Sequence, residues 1–138
     1  MKVLLDTHIW LWWLLGSERL EHLEHRSLDR LAASSTCAIA AMSLWEAQML
    51  HAKGRLSLDR PFQTWLRQAV APGVVQVLPI DVEVVIALDQ IPEAFHGDPA
   101  DRLIVATGLA HGLHLATHDK AIRRSGVIPI WNTSASRG

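Results

Sequence analysis

Three things are scarce in this chain of 138 residues: cysteine, aromatic hydroxyls and charge of one sign. There is one cysteine, Cys37, and no tyrosine. A single thiol excludes an internal disulfide framework and a cysteine-rich zinc site; it suits a reducing compartment, and cytoplasmic residence is the expectation. The longest unbroken apolar run, Ile9 to Leu15, is far short of the ~20 residues a membrane-spanning helix needs. Asp6 and His8 interrupt the apolar start, so residues 1–16 read as part of the fold rather than as a signal peptide. Thirteen Lys and Arg balance 14 Asp and Glu, a formal net charge of −1. Such a chain exerts no global pull on nucleic acid or membrane, and any nucleic-acid contact must come from a local patch or from metal ions. G-x-S-x-G, H-E-x-x-H and the two glycine-rich phosphate loops are absent, which argues against acyl transfer, zinc proteolysis and nucleotide binding.

No repeat, low-complexity tract or Pro/Gly linker divides the sequence, so residues 1–131 read as one domain and 132–138 as a short polar tail. With 49% apolar residues the chain can bury a real core. Short apolar runs alternate with helical periodicity. Strands are predicted at Lys2–Leu5, Thr36–Ala41, Val74–Ile80, His114–Thr117 and Val127–Trp131. Between them lie helices over Thr7–Leu15, Glu18–Ala33, Ser43–Lys53, Pro61–Ala71, Val82–Ile91, Pro99–His111 and Asp119–Arg124. This alternation predicts an α/β domain whose mostly parallel sheet is covered on both faces. Ligands of such folds sit beyond the carboxyl ends of the strands.

Five acids fall at strand ends or helix starts, which share one edge of a parallel sheet: Asp6 and Asp119 follow strands, Glu46 lies three residues into a helix, and Asp98 and Asp101 bracket the helix start at Pro99. Each also has a plain structural reading. Asp6 and Asp119 can cap the helices that follow, and Ser43-Leu-Trp-Glu46 and Asp98-Pro-Ala-Asp101 have the form of capping boxes. Taken together they differ from ordinary caps. Acids gathered on one sheet edge repel and are driven toward protonation, whereas Ser, Thr or Asn would cap without that repulsion. A divalent cation resolves the conflict, and an all-oxygen ligand set points to Mg²⁺ or Mn²⁺. Such an ion takes up phosphate oxygens, which leads to metal-assisted phosphodiester cleavage.

Leu4-Leu5-Asp6-Thr7-His8 followed by Trp10-Leu11-Trp12, then Ser43-Leu44-Trp45-Glu46, His96-Gly97-Asp98-Pro99-Ala100-Asp101-Arg102-Leu103-Ile104 and Ala116-Thr117-His118-Asp119 resemble, in order and spacing, the four motifs of PIN-domain proteins. They look most like those of VapC-type toxin ribonucleases. The resemblance implies a PIN-like three-layer fold with a five-stranded, mainly parallel sheet flanked by helices. It implies a Mg²⁺- or Mn²⁺-dependent endoribonuclease that cuts single-stranded or loop RNA with a metal-activated water. It further implies a homodimer and a small cognate antitoxin of VapB type that occludes the site. By position, Asp6 and Asp101 correspond to the main metal ligands, Glu46 to the acid that ligates or orients bound water, and Asp119 to the fourth acid. Asp98 is typical of the subgroup, and Thr7 and Thr117 match hydroxyls that line the site. The alternative within the family is a catalytically silent module that binds RNA or antitoxin. A HAD-type phosphatase would want a second Asp where His8 stands, and a phosphoryl-receiver domain has no acceptor Asp after a central strand.

Lys53, Arg55, Arg102, Lys120, Arg123 and Arg124 lie near the acidic motifs in sequence and are candidates for flanking phosphates, with a solvated face as the plain reading. Trp10, Trp12 and Trp13 crowd one short helix. A helix apolar all round is buried on every side or meets a partner, and the resemblance favours a partner surface.

Overall fold

The computed structural model describes residues 2–95 and 97–133. Its element order is β1 (Val3–Leu5), α1 (Thr7–Leu14), α2 (His22–Ala33), β2 (Cys37–Ala40), α3 (Ala41–Ala52), α4 (Phe62–Ala69), β3 (Gln76–Leu78), α5 (Val82–Gln90), α6 (Pro99–His111), β4 (His114–Ala116) and α7 (Lys120–Ser125). The strands pair in the order β3-β2-β1-β4, all parallel. Leu5 aligns with Ile39 on one side and with Ala116 on the other, so β1 and β4 end level and β2 runs one residue further, to Ala40.

Strand pleating sorts the side chains into two cores. Val3 and Leu5 of β1, with Cys37 and Ile39 of β2, face a core completed by Trp10, Leu28, Trp65 and Ala69 of α1, α2 and α4. Leu4, Ala38 and Ala40 face the opposite core with Val84, Ile104, Val105 and Ile122 of α5, α6 and α7. The central strands β1 and β2 are therefore buried on both faces, which explains why they read as continuous apolar runs rather than alternating ones, while the edge strand β3 begins with an exposed Gln76. Gly108 lets α6 lie close on the sheet: a Cβ there would fall 2.5 Å from Ile128 Cδ1 and 3.3 Å from Leu4 Cδ2.

Several expected boundaries shift. The fifth strand is reduced to one parallel bridge, Leu115 with Ile130. Leu115 N–H donates to Pro129 O and Trp131 N–H to Leu115 O, both at 2.9 Å; Pro129 has no N–H with which to extend a ladder. The helix expected from Glu18 starts at His22, because Glu21 and Glu24 form a reciprocal capping box there. The Ser43–Glu46 capping box is overturned. Helix α3 begins at Ala41, entered from extended Ala40 with no side-chain cap, and Ser43 is a buried residue inside it. Pro61 is the N-cap of α4 rather than its first residue. Of the polar tail expected over 132–138, residues 134–138 lie outside the described residues.

Candidate metal-dependent active site

The strand order places β1 between β2 and β4, and the chain leaves β1 toward one side of the sheet and returns to β4 on the other. That switch point opens a crevice at the carboxyl ends of β1 and β4. Asp6 stands in it, one residue beyond β1, and is buried. Its backbone N–H donates to Ala116 O at 2.9 Å, continuing the β1–β4 ladder. Its carboxylate accepts from Thr7 N–H at 2.8 Å through Oδ1 and from the Thr117 hydroxyl at 2.7 Å through Oδ2. Asp6 thus caps α1 and is also fixed across the switch point.

Thr7 holds the next acid. Its hydroxyl lies 2.8 Å from Ser43 Oγ and donates to Glu46 Oε1. The two residues that the sequence offered as a cap for α3 are instead tied to the start of α1, which turns Glu46 toward Asp6. Asp98 caps α6, accepting from Asp101 N–H at 2.8 Å, with Pro99 opening the helix. Asp119 caps α7, accepting from Ile122 N–H at 2.9 Å, while its own N–H donates to Thr117 Oγ1 at 3.0 Å. The capping readings of Asp6, Asp98 and Asp119 therefore hold, and they coexist with a shared location. Asp6, Glu46, Asp98, Asp101 and Asp119 line one cleft of about 680 Å³.

The electrostatics record that crowding. Burial, then the neighbouring Asp98, Asp6, Asp119 and Glu46, push the Asp101 carboxyl up to about 7. Asp6 is raised by burial and, weakly, by Asp119, against its hydrogen bonds from Thr117 and Thr7. Glu46 is raised by burial and by Asp6 and Asp98, against its Thr7 hydrogen bond. Three half-buried or buried acids that resist ionisation, with two more at the rim, make a pocket seeking positive charge.

Among the described residues, no three His, Cys, Asp or Glu side chains are already closed around one ion position. Both Asp6 oxygens and one Glu46 oxygen are engaged by protein donors. A donor set of this kind fits Mg²⁺ or Mn²⁺, which bind through one or two carboxylates and keep several waters. It does not fit a caged zinc, since no thiolate approaches: Cys37 is buried in the core, its thiol pushed up to about 12 by burial.

Other expected residues separate. Thr7 and Thr117 are both buried; neither lines the cleft itself, and each reaches it through an acid, Thr7 through Glu46 and Thr117 through Asp6. Arg55 lines the cleft. Arg102 does not reach it as a free cation: its guanidinium donates to Phe95 O at 3.3 Å and Ile91 O at 3.4 Å, and lies 5.9 Å from the Phe95 ring centroid. Its work is to tie the α5–α6 connection to α6. Lys120 and Arg123 line a neighbouring depression behind His118, where Arg123 donates to Thr117 O at 2.9 Å. Lys53 and Arg124 are exposed outside the cleft lining.

Trp10 is corrected as a partner contact. It is fully buried, packs on Trp65 and donates to Ala69 O at 3.3 Å. Trp13 is half-buried and donates to Asp29 Oδ1 at 2.9 Å. Trp12 is half-buried and lines the cleft, as do His8 and His118; His96 lies outside the described residues. Arg19 is a cleft residue that sequence reasoning missed. It sits in the turn before α2, and only the fold brings that turn beside α1.

A PIN domain family model matches residues 3–127. Ribonuclease VapC22 of Mycobacterium tuberculosis is 35% identical over 121 residues, 88% of this chain and 89% of that protein. Among solved structures, VapBC2 from Rickettsia felis bound to a promoter DNA fragment superposes with a TM-score of 0.72 at 17% identity, covering 96% of this chain and 98% of that one. DNA-bound VapBC from Salmonella typhimurium gives 0.70 at 22% identity, with the same coverage of both chains.

Proposed function

Because the chain belongs to the PIN domain family, we propose that its acid-lined cleft is the active site of a Mg²⁺- or Mn²⁺-dependent endoribonuclease, a toxin held in check by a small VapB-type antitoxin. The observation that carries this reading is the convergence on one cleft of acids from the starts of α1, α6 and α7 and from within α3, with the Asp101 carboxyl pushed up to about 7 by burial and by its acidic neighbours. Sequence likeness to a ribonuclease along nearly the whole chain supports the reaction class, and likeness to toxin–antitoxin complexes agrees with the partner.

Asp6 and Asp101 are the residues that would hold the cation, with Glu46, Asp98 and Asp119 around them. When bound, a divalent cation supplies Lewis-acid activation of water and neutralises charge on the phosphodiester. The chain's own groups do the positioning. Thr117 and the Thr7 N–H fix the Asp6 carboxylate in one orientation. The Thr7 hydroxyl fixes Glu46, a carboxylate that would serve as the general base for water. No serine or cysteine nucleophile lines the cleft among the described residues, in keeping with direct attack by water.

The same reading takes residues 1–131 as one catalytic domain and the protein as a homodimer in the cytoplasm. No helix among the described residues is long and apolar enough to cross a membrane. The test is cleavage of a mixed RNA pool by antitoxin-free protein in Mg²⁺, Mn²⁺ or EDTA, with the cut ends mapped. Cutting in metal only, leaving 5′-phosphate and 3′-hydroxyl ends, is expected; cutting that survives EDTA would overturn the metal assignment.

A further inference from the structure

Beside the acids, the cleft continues into a wall that the metal chemistry does not use. Trp12 forms it, half-buried on α1. The His8 ring centroid lies 5.5 Å from the Trp12 centroid, and His118 meets Trp12 edge-on, also at 5.5 Å. His118 is itself held by Glu24 at 2.7 Å, so a side chain from α2 braces the wall from behind. The Arg19 guanidinium lies over the indole, 5.6 Å from its centroid. Among the described residues, the Lys or Arg side chains lining the cleft are Arg19 and Arg55. In a chain of net charge −1, they are the local positive charge available to a polyanion entering an otherwise acidic cleft.

We propose that Trp12, with Arg19 above it, is the platform that stacks an unpaired nucleobase of the RNA strand next to the scissile phosphate. The inference rests on the ribonuclease reading and adds the feature of the substrate that is read: a base whose π-face is free. Indole and guanidinium planes both stack on nucleobases, whatever the base, because every base has a π-face. In a duplex those faces are covered by neighbouring pairs, and proteins read RNA sequence mainly where bases are unstacked. A braced Trp beside the acids therefore selects single strands and loops by geometry, and it positions the backbone without dictating sequence. Trp12 is a positioning residue: it holds the strand and leaves the bond-breaking groups untouched.

The test compares Trp12→Leu, Trp12→Phe and Arg19→Gln with the parent protein. One arm measures kcat and KM on a single-stranded RNA oligonucleotide. The other measures binding of the same oligonucleotide, labelled, to each variant in an Asp101→Asn background that cannot cut. Trp12 also abuts the core, so melting curves accompany each variant; Arg19 is exposed and its variant tests the platform without a folding risk. Trp12→Leu is expected to raise KM and weaken binding by about tenfold or more with kcat little changed. Trp12→Phe should restore most of the loss, and Arg19→Gln should give a smaller loss of the same kind. A duplex of the same sequence should bind equally to parent and Trp12→Leu. If the parent cuts RNA while Trp12→Leu matches it in KM and binding, the platform is refuted and the ribonuclease reading stands. If Trp12→Leu changes only inhibition by the antitoxin, the wall is a protein contact and the inference is likewise overturned. If the parent neither cuts nor binds RNA, both readings fall together.

Discussion

Replacing Asp101 by Asn should stabilise the metal-free protein, even though it removes a site residue. The Asp101 carboxyl is pushed from 3.8 up to about 7, first by burial and then by Asp98, Asp6, Asp119 and Glu46. A raised carboxyl pKa means that the folded state holds its proton more tightly than the unfolded chain, so ionisation opposes folding. Below about pH 4, folded and unfolded forms are both protonated and there is no penalty. Between about pH 4 and 7 the unfolded chain is ionised while the folded site keeps its proton, and the penalty grows. Above about pH 7 both are ionised and the penalty is complete. A shift of this size corresponds to at most about 4 kcal/mol at 1.36 kcal/mol per pKa unit. Asp101 is half-exposed, so solvent screening brings this to about 1–2 kcal/mol. For a chain of this length that is about 3–8 °C in Tm. The assay is thermal unfolding of parent and Asp101→Asn in EDTA from pH 4 to 8.5. The gain should be absent at pH 4, rise through pH 7 and then level off; adding Mg²⁺ or Mn²⁺ should raise the Tm of the parent far more than that of the variant. A variant no more stable than the parent at pH 8 in EDTA would refute the claim that burial and the neighbouring acids together oppose ionisation of Asp101.

Thr7→Val removes the hydroxyl that partners Ser43 and Glu46; it should cost about 1–3 kcal/mol in denaturant unfolding and lower kcat as Glu46 loses its orientation. Arg102→Met should destabilise by about 1–3 kcal/mol by leaving the Phe95 and Ile91 carbonyls without their donor, while KM for RNA stays near the parent value; a KM effect without a stability effect would return Arg102 to the phosphate-binding set. Trp10→Ala should cost about 3–5 kcal/mol, because Trp10 is fully buried between the sheet and Trp65. A cost below about 1 kcal/mol would mean that it does not anchor that core.

How much of this was legible beforehand follows the physics of each element. Strands buried on both faces leave a strong apolar signal, and β1, β2 and β4 fell where their runs predicted. Helix α6 carried Asp98, Pro99 and Gly112 as start and stop marks, and both ends were read correctly. The fifth strand failed because Val, Ile and Trp give a strand composition, whereas pairing also requires donors that Pro129 does not have. Ser-x-x-Glu at Ser43 and Glu46 matches a capping box locally, but that capping reading fails because the pair's actual partner, Thr7, lies 36 and 39 residues away; Glu46 still lines the cleft with the other acids. The acids were found because caps and strand ends are local marks that the parallel topology then gathers. Arg19 could not be found that way, since its place at the cleft depends on how the turn after α1 folds back. Trp10, Trp12 and Trp13 look alike in sequence, and only helical phase separates the core residue Trp10 from the cleft residue Trp12.

The most direct test of the central claim sets the parent protein beside Asp6→Asn in one RNA-cleavage assay, both free of antitoxin and both shown folded by their melting curves. Asp6 is the acid fixed at the switch point by Thr7 and Thr117. Cleavage that requires Mg²⁺ or Mn²⁺ in the parent and is lost in Asp6→Asn is the expected result. Full metal-dependent cleavage by Asp6→Asn would contradict the assignment of this cleft as the active site.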